Sequence, residues 1–120
     1  MRRRHHDLLA WQRAIALVKL IYAETSRFPS HEAFALVSRM CRAAVSVPAN
    51  IAEGAARNSS REFTRFLGIA RGSLSELETY LVIARDLDYL GEGERTEQVI
   101  DEVFRLLGGL LNAQKRKELA

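Results

Sequence analysis

The sequence predicts an all-α fold, an antiparallel up-down-up-down four-helix bundle, on three observations. Apolar residues recur at steps of three and four along four long stretches. Only two prolines, Pro29 and Pro48, occur in 120 residues. The period-two alternation of half-buried strands is scarce. All 120 residues are read as one domain, with helices at about 8–27, 31–53, 60–88 and 94–117.

In the first stretch Leu8, Trp11, Ile15, Val18 and Tyr22 form a stripe, widened by Ala14, Leu17 and Ile21. Phe28-Pro29 ends it, because a residue before proline is pushed out of the α region. Ser30 is the expected cap of the second helix, with Glu32 in its first turn. That helix is expected to carry Phe34, Val37, Met40, Cys41, Ala44, Val47 and Ile51 inward. Pro48 inside it removes one backbone hydrogen bond and crowds the Ala44 carbonyl, which predicts a kink, or alternatively a break into two helices. Gly54 is its stop.

The third stretch is the clearest. Ser59 with Glu62 three residues on fits a capping box. Phe63, Leu67, Ala70, Leu74, Leu77, Leu81 and Ala84 then hold a heptad seam over three repeats. Asp88-Tyr89-Leu90-Gly91 closes it. The fourth helix starts near Gly93–Thr96, with Val99, Val103, Leu106, Leu110 and Ala113 inward and basic residues Lys115–Lys117 in its last turn. Gly108-Gly109 costs about 1 kcal/mol per glycine there, which close approach of another backbone or local fraying would explain.

The net charge of +3 hides an asymmetry. Residues 1–71 carry twelve basic and five acidic side chains (+7), and residues 72–120 carry six and ten (−4). Such a split marks a basic face for an anionic partner or one side of a self-complementary assembly. Cys41 is the single cysteine, so an internal disulfide or cysteine metal cluster is excluded and its use is to fill core space. No apolar run reaches the roughly 20 residues of a membrane span. No apolar core follows the basic N-terminus either, so the expected setting is the reduced cytoplasm.

Catalytic constellations are missing from the pattern. His5, His6 and His31 are the only histidines, and none follows a glutamate by three residues as di-iron bundles require. Neither a phosphate-binding glycine loop nor a metal-binding helix motif is present, and no enzyme, metal or cofactor is expected. Two other sets stand out. Ser46, Asn50 and Glu53 share one side of helix two around Pro48, and Ser73, Glu76 and Thr79 lie on helix three. The favoured reading is structural, with Ser46 and Asn50 satisfying carbonyls freed by the proline and Glu53 pairing with an arginine such as Arg57. Arg57, Arg61 and Arg65, four apart, predict a basic ridge at one bundle end, with Arg39 and Arg42 on helix two and Arg2–Arg4 as a flexible arm. Guanidinium groups engage phosphates bidentately, although Glu53 and Glu62 lie among them.

Phe63-Thr-Arg-Phe-Leu-Gly-Ile-Ala-Arg-Gly-Ser-Leu-Ser-Glu-Leu-Glu-Thr79, preceded by Arg42-Ala-Ala-Val-Ser-Val-Pro-Ala-Asn-Ile-Ala-Glu-Gly54, resembles the 23S rRNA intervening-sequence family. Leu9-Ala-Trp-Gln-Arg-Ala14 and the Phe28-Pro29 corner match as well, so the resemblance covers about residues 7–90. It implies a bacterial four-helix bundle and, in related members, a cyclic homopentamer. A related branch, the accessory proteins of diversity-generating retroelements, binds a reverse transcriptase and nucleic acid. Arg39 departs from the pattern, where glutamine is expected, which puts the family's assembly geometry in question here. Independently, helix three is apolar on more than one side, so Phe66, Ile69, Tyr80 and Ile83 are the expected oligomer interface.

The sequence thus predicts a non-enzymatic homo-oligomer, pentameric by resemblance, that binds RNA or DNA through Arg39, Arg42, Arg57, Arg61 and Arg65. The alternative is an adaptor for an acidic protein with no nucleic-acid role. No membrane partner is expected.

Overall fold

A computed structural model describes residues 2–91 and 94–119. Four helices account for most of the chain: α1 (Leu9–Thr25), α2 (Leu36–Ala55), α3 (Ser60–Asp86) and α4 (Glu94–Leu119). Each packs on the next, and α4 returns against α1. Cross-contacts join opposite ends of neighbours. Ser60, opening α3, bonds Gln114 near the end of α4, while Arg85, closing α3, pairs with Glu97 near the start of α4. Likewise Thr96 at the start of α4 bonds Glu24 near the end of α1. This is the antiparallel order that short connections impose. Among the described residues no helix is long and apolar enough to cross a membrane.

The α3 seam is buried residue for residue, from Phe63 through Leu67, Ala70, Leu74, Leu77 and Leu81 to Ala84. Ser59 caps the helix by accepting the Glu62 amide at 3.0 Å. The reciprocal half of the capping box is replaced, because the Glu62 carboxylate turns to Arg65 instead. At the other end Asp88 takes the left-handed conformation, φ 63°. The Asp88 amide then reaches the Arg85 carbonyl and the Tyr89 amide the Ala84 carbonyl, both at 2.9 Å. This is a Schellman stop built on aspartate rather than glycine.

Elsewhere the core is displaced from the expected stripes. In α1 the buried residues are Ala10, Ala14, Leu17, Ile21 and Thr25, while Tyr22 is exposed and Trp11, Ile15 and Val18 only half-buried. In α4 the seam runs through Val99, Ile100, Val103, Leu107 and Leu111 to Gln114, with Leu106, Leu110 and Ala113 half-buried. The expected α4 start at Gly93 lies outside the described residues. Helix α2 begins at Leu36 rather than His31. Ser30–Glu32 forms a 3-10 turn without a side-chain cap from Ser30, and Glu32 is drawn away to accept the Tyr89 hydroxyl at 2.9 Å. Ala35 sits at φ −118°, ψ −100°, outside the helical region. Phe34, expected inward, is therefore 99% exposed.

Helix α2 continues through Pro48 without a break. The N-terminal arm is also ordered: Arg4–Asp7 makes a 3-10 turn, and His5 and His6 pack edge-on against Trp11. Cys41 is half-buried against the core, its Sγ 3.7 Å from Thr25 Oγ1.

Gly54 is not a left-handed stop; it lies within α2, and no described glycine has positive φ. Its role is close approach. A Cβ there would lie 2.7 Å from Phe66 Cβ and 3.0 Å from Phe63 Cδ1. Around Gly108 and Gly109, by contrast, an added Cβ meets nothing within 4 Å, and α4 runs unbroken through both. Neither close approach within the chain nor fraying explains them. Gly54→Ala is expected to destabilise the fold by about 1–3 kcal/mol through overpacking. Gly108→Ala should instead stabilise it by about 0.5–1 kcal/mol. Urea unfolding of the two variants checks both signs.

Candidate nucleic-acid interface

The five arginines singled out in the sequence fall into two groups. Arg42 lies some 13 residues before Ala55 on α2, about 20 Å at 1.5 Å per residue. Arg57, Arg61 and Arg65 gather at the α2–α3 corner, whereas Arg39 and Arg42 flank a groove midway along the α2–α3 face.

The corner is built on Phe66. Gly54 lets α3 come close enough for the Phe66 ring to be buried, 7% exposed, and this removes it from the expected oligomer interface. The Arg57 and Arg65 guanidinium groups lie over that ring, 5.1 Å and 4.5 Å from its centroid. Each also holds a carboxylate, Arg57 to Glu53 at 2.9 Å and Arg65 to Glu62 at 2.8 Å. The hydrogen bond from Arg65 holds the Glu62 carboxyl below its ordinary value, and the nearby charges of Arg57 and Arg61 add to the effect. Arg61 is exposed and has no ion pair among the described residues.

Two cations that the sequence reading assigned to a flexible arm and to the last turn of helix four join this end. Arg4 lies over the Phe63 ring at 4.6 Å and donates to the Ala55 carbonyl at 3.4 Å. Together with Arg57 from the α2–α3 corner and Lys117 from the last turn of α4, it lines a cavity of about 260 Å³. The rest of that lining is Asn58, Ser59, Ser60 and Gln114, with no carboxylate. The signal was present in the topology. An antiparallel bundle brings its N-terminus, its α2–α3 corner and its C-terminus to one end, so the Arg2–Arg4 and Lys115–Lys117 runs must meet Arg57–Arg65 there.

The midway groove, about 440 Å³, is lined by Arg39, Arg42, Ser46, Ser73, Glu76 and Tyr80 among others. Ser46 and Ser73 join α2 to α3 through their hydroxyls at 2.8 Å. The Asn50 amide donates to the Ser46 carbonyl at 2.8 Å and to its hydroxyl at 2.9 Å. Both of its donors are thus used, and neither goes to the Ala44 carbonyl that Pro48 leaves without its amide. The Tyr80 hydroxyl donates to Glu76 at 2.5 Å, a bond that raises the Tyr80 pKa, while Arg39 acts on the same hydroxyl in the opposite sense. Thr79 stays out of this network, donating to the Ser75 carbonyl one turn back at 2.9 Å. Of the expected interface residues Ile69 and Ile83 remain, each 42% exposed, and Tyr80 is half-buried along the groove. Among the described residues no three histidine, cysteine or acidic side chains gather to hold a metal ion.

The family model of the 23S rRNA-intervening sequence protein matches residues 6–109. The chain belongs to this family. The match spans all four helices of the bundle and stops within α4 at Gly109, so the Lys115–Lys117 turn lies beyond it. No curated protein matches the chain. In this intervening-sequence family member Arg57 of the cavity lies inside the matched region, whereas Arg4 lies before it and Lys117 after it.

A depressed carboxyl contributes stability above its ordinary range, and that stability is lost as pH falls through the lowered value. NMR titration of the Glu62 side chain should give a midpoint below 4.5 in the wild-type chain and a return toward 4.5 in Arg65→Ala. An unchanged midpoint in the variant would show that Arg65 does not set it.

Proposed function

We propose that this intervening-sequence family protein is a non-enzymatic homo-oligomer, a pentamer on the family resemblance, that binds RNA or DNA through the basic end of each bundle. The observation that carries the reading is the convergence of Arg4, Arg57 and Lys117, from three separate segments, on one cavity without a carboxylate in its lining. Arg61 and Arg65 extend the same end along α3. The aromatic seats under Arg4, Arg57 and Arg65 support it too, since stacked guanidinium groups lose less freedom when they grip a phosphate. Glu53 and Glu62 temper the field without cancelling it, because each occupies one arginine. A single end of this kind gives weak, salt-dependent affinity, and repetition around a ring multiplies it.

Assembly is proposed through the outer face of α3, where Ile69 is exposed beside Gly68 and Gly72 and Ile83 is exposed about three turns further on. Neither glycine is required by packing within the chain, since an added Cβ at either meets nothing within 4 Å. Each costs about 1 kcal/mol in a helix, and close contact with a second copy would explain their presence. The second reading is an adaptor for an acidic protein. It draws on the Arg39–Arg42 groove, which lies apart from the basic end and where one of the two paired serine hydroxyls keeps a proton to donate to a carboxylate.

Replacing Arg57, Arg61 and Arg65 together by alanine is expected to flatten the log–log salt dependence of RNA or duplex-DNA binding by about 2 to 3 units, at roughly 0.9 per phosphate contact. An unaltered slope would move the site elsewhere, and no binding by the wild-type chain at low salt would leave the adaptor reading. Ile69→Glu with Ile83→Glu is expected to yield monomers by light scattering. An unchanged mass would place the interface on another face.

A further inference from the structure

Gln114 is a polar side chain in an apolar position. It continues the buried α4 seam after Leu107 and Leu111 and is only 3% exposed. Its carbonyl oxygen accepts the Ser60 hydroxyl at 2.7 Å. Its Nε2 donor group has no acceptor among the described residues and is open to solvent where the side chain lines the cavity at the bundle end. Around that amide stand Arg4, Arg57 and Lys117, the Ser59 and Ser60 hydroxyls, and the first turn of the 27-residue helix α3. Every ionisable group in the lining is a cation. Unpartnered backbone amides at a helix start favour an anion, and the amide donor, its side chain held by Ser60, offers that anion a hydrogen bond in addition to the charge.

We infer that this cavity is a phosphate site, in which Gln114 Nε2 donates to a phosphate oxygen while Arg4, Arg57 and Lys117 neutralise its charge. The volume, about 260 Å³, exceeds that of a bare anion and leaves room for the group to which the phosphate is attached. That this group is a polynucleotide rests on the function proposed above; the site itself does not, since a free phosphate has the same chemistry.

The test is an amide-correlation NMR titration of the full-length chain with sodium phosphate, against sodium chloride at matched ionic strength. Saturable movement of the Gln114 side-chain amide and of the Ser60 and Arg61 backbone signals is expected, with the exposed Gln98 side chain unmoved. Gln114→Glu, which places a carboxylate among the cations, should weaken phosphate binding by about tenfold or more. Lys117→Ala, an exposed position, should weaken it too while leaving the fold untouched, so the proposal does not hang on one buried substitution. Phosphate that moves no signal at Gln114, or moves the same signals equally in Lys117→Ala, overturns the site.

A short RNA added to the phosphate-saturated protein separates the sources. Displacement of phosphate from Gln114 supports the site with a polynucleotide as its ligand. Phosphate that saturates the site while RNA binds nowhere supports it for a free phosphate and removes the nucleic-acid function. RNA that binds while phosphate leaves Gln114 unmoved removes the site and leaves that function standing.

Discussion

The close approach of α3 to α2 at Gly54 sets the geometry on which the basic end depends. With 2.7 Å between an imagined Cβ and Phe66 Cβ, only glycine lets the two helices meet there. That contact buries Phe66 and seats Phe63 in the core. The rings then become platforms, Phe66 for Arg57 and Arg65 and Phe63 for Arg4. A residue read from sequence as a helix stop thus acts as a spacer, and the consequence is carried about one turn outward, from backbone to aromatic ring to guanidinium.

Topology supplies the rest. Antiparallel helices cannot separate their N-terminal arm from their last turn, so basic runs that are distant in sequence share one end. The acidic second half supplies Gln114 and Lys117 there, with Glu118 accepting from the Thr64 hydroxyl nearby, while Glu78, Glu97 and Asp101 line a separate groove. The opposite end has another character, with Tyr22, Phe34 and Leu87 exposed and the Tyr89 hydroxyl tied to Glu32.

Periodicity made the four helices legible, and in α3 every seam position, because an uninterrupted heptad leaves one stripe to bury. In α1 two adjacent stripes were both apolar, and the choice between them lay with neighbours absent from the local pattern. The stripe that includes Ala10 and Ala14 faces inward, since small residues let helices pack closely, and bulky Trp11 and Tyr22 are left to the margin. The same reasoning explains Phe66, whose burial depends on a glycine twelve residues earlier. The start of α2 was hidden because Ser30 and Glu32 read as a helix beginning, while Tyr89, from another helix end, claims the Glu32 carboxylate. The Arg57–Arg65 ridge was visible as a spacing. Its partners Arg4, Lys117 and Gln114 were not, because their meeting is a property of the assembled bundle rather than of any one segment.

The measurement that tests the account most directly is mapping of amide shifts on the intact protein as a short RNA hairpin or DNA duplex is added. The account predicts that the affected signals lie at the basic end, across Arg57–Arg65, around Arg4 and along Lys115–Lys117, and fade together as salt is raised. Shifts confined to the opposite end, around Tyr22, Phe34 and Leu87, or no shifts at low salt, would contradict it.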